Sequence, residues 1–252
     1  MSSPSPCKSV SQDEHAAEHP QGACLSIDAS LVTMIKDSLD SKGYAVFPSG
    51  CTSEELDALE LAFVSSSTWS TREPNNRWSC THPSNNEQPG WSVLWTAPNI
   101  VAVLEAVANH CESTICVGPC GGDMCYPNAR AQQLHSDYPR YDLCSMRHGF
   151  SLAVSIAVHD VSDGPLRIVP WDRKGGNGEW YPTTPLTERP LAAELLCMKR
   201  SDCLIRDVRA PHGGSSHFGS VPRMLPGIQF YCTACCTGRC NSHQHFGLAW
   251  KD

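Results

Sequence analysis

Residues 151–158 read Ser-Leu-Ala-Val-Ser-Ile-Ala-Val, a clean two-residue alternation. Leu152, Val154, Ile156 and Val158 face one way, and Ser151, Ala153, Ser155 and Ala157 face the other. Large branched groups on one side and small ones on the other suit the wall of a barrel. The large face packs outward on a neighbouring layer and the small face leaves room inside. Leu166–Val169, Cys203–Val208 and Ile228–Thr233 read as further strands, so the second half of the chain is expected to be β-rich.

The first half reads differently. Residues 1–27 are polar and aperiodic and are expected to form a loosely attached tail, leaving 28–252 as a single domain. A helix is expected over Ser30–Lys42, with Leu31, Ile35 and Leu39 on one face and Gly43 as its stop. A short strand, Tyr44–Phe47, follows. Thr52-Ser53-Glu54-Glu55 is a capping box opening a second helix that buries Leu56, Leu59 and Phe63. A third is expected over Ile100–Ala108, capped by Asn99. Trp69, Trp78, Trp91 and Trp95 fall in an aperiodic stretch and read as satellite core more readily than as pocket-lining loops. Residues 170–190, rich in Gly, Pro and Trp, read as a long loop that either closes over a substrate or is anchored to the core.

The 252 residues carry a net charge of −7, so no basic nucleic-acid footprint is expected. Neither a secretory signal nor an apolar run of membrane-spanning length stands out, and a cytoplasmic protein acting on a small molecule is the expectation. The 15 cysteines include two clusters. One is Cys111, Cys116, Cys120 and Cys125; the other is Cys232, Cys235, Cys236 and Cys240 with His243 and His245. Reduced thiols, disulfides and a structural zinc all stay open for them.

The chemistry concentrates in two places. In Gln133-Leu134-His135-Ser136-Asp137, an imidazole and a carboxylate stand two positions apart. On a strand they share a face; on a helix they would diverge by about 200°. Presented together, they can supply two ligands to an octahedral metal. A second histidine would complete a facial triad with three positions open, the geometry of non-haem Fe(II) oxygenases. His212, in Arg209-Ala210-Pro211-His212-Gly213-Gly214, follows a strand-like run. Arg223, eleven residues on, opens another, and its planar guanidinium suits a carboxylate.

Four stretches in order resemble the phytanoyl-CoA dioxygenase-like (PhyH) family of Fe(II)/2-oxoglutarate oxygenases. They are KGYAVFPSGCTSEELDAL (42–59), QQLHSDY (132–138), SIAVHDVSDGPLRIVPWDRK (155–174) and SDCLIRDVRAPHGGSSHFGSVPR (201–223). The resemblance implies a mainly β fold with flanking helices, a double-stranded β-helix of the jelly-roll, cupin-like kind. It implies His135, Asp137 and His212 as metal ligands and Arg223 on the distal carboxylate of 2-oxoglutarate. It also implies Gln133 as a further 2-oxoglutarate contact. Fe(II), 2-oxoglutarate and O2 would then hydroxylate, desaturate, cyclise or epimerise a small metabolite, releasing succinate and CO2. Halogenation is not expected, because Asp137 fills the position a halide would need.

The chain departs from the family pattern near the expected pocket. Pro170-Trp171-Asp172-Arg173 stands where members often read Pro-Gly-Ser-His. His217 stands where many have Asn, and Ala153 and Ser155 replace a bulky aromatic. Two other classes remain open on the sequence. One is a non-catalytic jelly-roll that binds metal or ligand, which would release no succinate. The other is a zinc-stabilised interaction module on the C-terminal Cys/His cluster, which would hold Zn after iron is chelated.

Overall fold

A computed structural model of the chain describes residues 28–71, 76–82, 90–111, 115–137, 151–170, 192–208 and 210–232. The N-terminal tail, the 170–190 loop beyond Pro170 and the C-terminal Cys/His cluster beyond Cys232 lie outside them.

Two antiparallel sheets make up the β framework. The larger runs in the order β1 (Tyr44–Pro48), β8 (Asp202–Asp207), β5 (Ser151–Ile156), β10 (Arg223–Cys232), β4 (Ile115–Cys125), β3 (Arg77–His82) and β2 (Ser70–Thr71). The smaller runs β7 (Glu194–Met198), β6 (Val161–Ile168), β9 (His212–Gly214). This is the jelly-roll arrangement. Sequence-distant strands pair within it: Ala153 stands opposite both Arg206 and Gln229, so β8, β5 and β10 share one register.

The alternation in β5 divides two cores. Leu152, Val154 and Ile156 join a cluster on the outer face of the large sheet. That cluster takes in Ile35 and Leu39 of α1 (Ala29–Lys42), Leu59 and Phe63 of α2 (Ser53–Val64), Leu94 of α3 (Val93–Thr96) and Ile100 and Leu104 of α4 (Pro98–Cys111). A second cluster, including Tyr44, Val161, Ile168, Met198, Leu204 and Leu225, lies inside. Trp91 is fully buried in the outer cluster, with Trp69, Trp78 and Trp95 packed against it, so these four tryptophans are core.

Both expected helix signals at α1 and α2 are present. Gly43 adopts φ 75° and its N–H bonds the Leu39 carbonyl at 3.0 Å, a left-handed stop that glycine reaches without steric cost. Thr52 and Glu55 form the reciprocal capping box. The third helix is a correction: it runs Pro98–Cys111, and Asn99 lies within it rather than capping it. Pro98 takes the first helical position, where the missing N–H costs nothing. The Asn99 amide instead donates to the Pro48 carbonyl at 2.7 Å, tying α4 to the end of β1.

β10 and β6 begin well before their expected starts, and β3 and β4 lie where no strand is expected. β10 begins at Arg223, five residues before Ile228, because Pro226 and Gly227 interrupt the apolar pattern without interrupting the pairing with Gly122 and Gly121. β6 begins at Val161 with irregular pairing before Leu166. β3 and β4 are strands in stretches rich in Cys, Gly and Ser, where periodicity carries no signal. Of the first cysteine cluster, Cys120 and Cys125 are buried and free, as are Cys80 and Cys203. Burial pushes the Cys80 and Cys120 thiols up to about 12.

Candidate metal centre

The segment 132–137 lies antiparallel to β9, and this pairing assembles the site. His135 and His212 exchange both backbone hydrogen bonds, each at 2.8 Å. The Gln132 N–H donates to the Gly214 carbonyl at 2.9 Å, and the Gly214 N–H to the Gln132 side-chain oxygen at 2.8 Å. At the other end the Asp137 N–H donates to the Val208 carbonyl at 3.1 Å. β9 is backed by β6, where Ile168 stands opposite His212. Buried Arg77 clamps both approaches from the β3 side, donating to the Arg130 carbonyl at 3.2 Å and the Ser215 carbonyl at 2.6 Å. A side chain at Gly214 would strike that guanidinium at 2.4 Å.

The ligand atoms of His135, Asp137 and His212 all lie within 4.8 Å of one another. Asp137 Oδ1 is 3.3 Å from His212 Nε2 and 3.9 Å from His135 Nε2. Both histidines use Nδ1 elsewhere: His135 Nδ1 lies 2.9 Å from the Gln133 carbonyl and His212 Nδ1 3.0 Å from the Ala210 carbonyl. A carbonyl can only accept, so each Nδ1 carries the proton and each Nε2 lone pair turns toward Asp137. Two imidazole lone pairs and one carboxylate oxygen on a common point fit a divalent metal.

Asp137 spends its second oxygen on Arg206, whose Nη2 donates to Oδ2 at 2.5 Å. Burial by itself would raise the Asp137 carboxyl. Arg206, His212 and His135 outweigh it and hold the group well below the usual carboxylate range. Burial and the neighbouring His212 lower His135 from its ordinary value. Both shifts favour the forms a metal needs, neutral imidazole and ionised carboxylate.

Arg223 lies in the barrel interior, in a row across the sheet with Cys125 and Arg77, and donates to the Gly164 carbonyl at 2.6 Å. Gln133 is exposed; what it contributes to the site is its backbone carbonyl on His135. The residue that the sequence reading missed is Arg206. Its signal was a charged side chain directly after the apolar run Cys203-Leu204-Ile205, but its partner lies 69 residues away and only the fold brings them together.

The phytanoyl-CoA dioxygenase (PhyH) model matches residues 39–225, most of the chain and all of the site. No curated protein matches in sequence. Among solved structures, the chain is similar to the non-heme alpha ketoglutarate dependent epimerase SnoN from nogalamycin biosynthesis. That match has TM-score 0.60 at 15% identity and covers 81% of this chain and 83% of that one. The carbocyclase SnoK from the same biosynthesis gives TM-score 0.59 at 14% identity over 84% and 87%. HygX from Streptomyces hygroscopicus, with nickel, 2-oxoglutarate and hygromycin B bound, gives 0.57 at 13% over 78% and 86%. The family model spans the segments that carry His135, Asp137 and His212, and the chain belongs to the phytanoyl-CoA dioxygenase (PhyH) family.

Proposed function

We propose that the protein is a single-domain (28–252) Fe(II)/2-oxoglutarate-dependent dioxygenase that oxidises an unactivated C–H bond of a small molecule, hydroxylating it in the simplest case. His135, Asp137 and His212 are the proposed iron ligands. Arg223 is the proposed anchor for the distal carboxylate of 2-oxoglutarate, and Gln133 is retained as a further contact on the resemblance alone. The observation that carries this reading is the convergence of two Nε2 lone pairs and Asp137 Oδ1. A merely structural histidine pair would not need both rings locked in one tautomer around a carboxylate.

When bound, iron and 2-oxoglutarate supply the O2-derived oxidant that removes hydrogen from substrate, releasing succinate and CO2. The chain's own groups prepare for it. Arg206 engages Asp137 Oδ2 and leaves Oδ1, which lies beside both histidine Nε2 atoms, as the oxygen that would ligate a metal. The carbonyls of Gln133 and Ala210 hold the imidazoles against rotation. Arg223 is buried and, among the described residues, its Nε lacks a partner, a donor it can offer to a carboxylate.

Epimerisation and ring closure are alternative outcomes of the same hydrogen removal, and the epimerase and carbocyclase among the structural neighbours favour keeping them open. Incubation with Fe(II), 2-oxoglutarate and O2 should release succinate and CO2, more strongly with a substrate present. The mass of the product then separates hydroxylation, which adds one oxygen atom, from the other two, which add none. An iron-loaded protein that never forms succinate would leave the non-catalytic binding protein as the better account.

A further inference from the structure

The inner face of the large sheet carries polar atoms that the proposed iron and 2-oxoglutarate sites do not use. Arg206 on β8, Ala153 on β5 and Gln229 on β10 stand directly opposite one another in one row. Their neighbours in sequence, Ile205, Leu152, Val154, Ile228 and Phe230, all point into the outer core, so the row faces inward. Ser151 lies two residues from Ala153 on the same face. Arg206 is 7% exposed and Gln229 1% exposed. Among the described residues, Arg206 Nη1, Gln229 Oε1 and Ser151 Oγ are each buried without a hydrogen-bond partner.

Leaving one buried polar atom unsatisfied is costly. Three around a single alanine is a pattern that calls for a partner from outside the chain. Ala153 contributes only a methyl group to this row, where a leucine or phenylalanine would lie across it. Ser151 and Ser155, on either side of Ala153, are only partly buried although they face the interior, and so mark the approach.

We infer that this row is the substrate anchor, a subsite for a carboxylate whose adjacent carbon carries a hydroxyl or an amine. This rests on the proposed oxygenase function. Arg206 Nη1 can only donate, so it calls for an acceptor. Gln229 Oε1 calls for a donor, and the Ser151 hydroxyl can serve either. Strands are spaced about 4.8 Å apart, so Arg206 and Gln229 sit roughly 10 Å apart at the backbone. A ligand over Ala153 can then meet both side chains at once. An α-hydroxy or α-amino carboxylate offers an acceptor and a donor on neighbouring atoms.

The guanidinium that holds this ligand is the same one that holds Asp137. The polar end of the substrate is therefore fixed beside the metal ligands, and the carbon oxidised lies within a few bonds of that end. A long acyl chain tethered by a distant head group does not meet this requirement.

The test uses the full chain with Zn(II) in place of iron, first shown to bind 2-oxoglutarate, so that failure of the oxygenase reading is recognised before the subsite is probed. The probes are the L-α-amino acids and the matching L-α-hydroxy acids, each paired with its decarboxylated amine or alcohol, titrated calorimetrically. The expected result is a binder among the acids whose decarboxylated analogue is at least about tenfold weaker. The amino and hydroxy series show which donor is preferred. Ser151→Ala and Gln229→Leu, checked by melting temperature, should each raise the Kd of that acid by about tenfold. Three results would overturn the inference. In one, no acid binds the wild type. In another, the acids bind but the variants leave their Kd unmoved. In the third, the variants weaken 2-oxoglutarate instead, which would make the co-substrate's own carboxylate the partner.

Discussion

The two faces of the large sheet are made of the same strands and do opposite work. On β10, Phe230 and Gln229 are adjacent and both about 1% exposed. Phe230 packs among the helices in a cluster that is apolar throughout. Gln229 faces inward with an unpartnered oxygen. On β5, Leu152, Val154 and Ile156 fill the outer side while Ser151, Ala153 and Ser155 leave the inner side thin. The difference teaches that stability and chemistry are separated by a period of two. The outer face supplies the burial that holds the sheet against α1–α4. The inner face can then carry Arg206, Arg223 and Gln229, whose polar groups would be costly to bury alone.

The largest effect should come from breaking the outer face. Phe230→Ala removes a buried aromatic at about 3–5 kcal/mol, lowering the melting temperature by on the order of 10 °C. The protein that remains folded in the cold should keep its 2-oxoglutarate KM. The adjacent Gln229→Leu should shift the melting temperature by only a few degrees, since it replaces an unsatisfied amide with an apolar group of similar size. Equal losses from the two would erase the distinction between the faces.

Arg223→Leu sharpens the inner side of the comparison. Loss of a buried charge-assisted contact of about 1.5–3 kcal/mol should raise the 2-oxoglutarate KM at least about tenfold. Steady-state succinate release measures it, and an unchanged KM would move the anchor elsewhere.

A smaller effect is the pH dependence of the metal-free protein. His135 has a lowered pKa in the folded state, so the unfolded chain binds more protons below its ordinary value of 6.5. Asp137 is also lowered, with the same consequence below 3.8. Both make stability fall as pH falls, first from the histidine and then from the carboxylate. Denaturant melts of wild type and Arg206→Met across pH 3 to 7 should show the acid-side loss shrinking in the variant, which lacks the cation that holds Asp137 ionised. A loss of unchanged size in the variant would show that Arg206 is not what depresses Asp137.

What was legible in the sequence follows the same division. His135, Asp137 and His212 could be read because a two-residue spacing and a distal histidine are local patterns, and the family resemblance ordered them. β5 could be read because its two faces differ so sharply in side-chain size. β3 and β4 could not, because Cys, Gly and Ser give no periodicity, and their pairing with β10 is what makes them strands. Arg206 and Gln229 looked like ordinary charged and polar residues within apolar runs. Only register, through Ala153 between them, places them side by side.

The central claim is that His135, Asp137 and His212 act as one metal site, and Asp137→Ala tests it most directly. Fe(II) binding by anaerobic equilibrium dialysis should fall from one ion per chain to none measurable at the same concentration, and 2-oxoglutarate-dependent succinate release should disappear, while the melting profile shows a folded protein. A folded Asp137→Ala protein that keeps wild-type Fe(II) affinity and forms succinate at the wild-type rate would contradict the account.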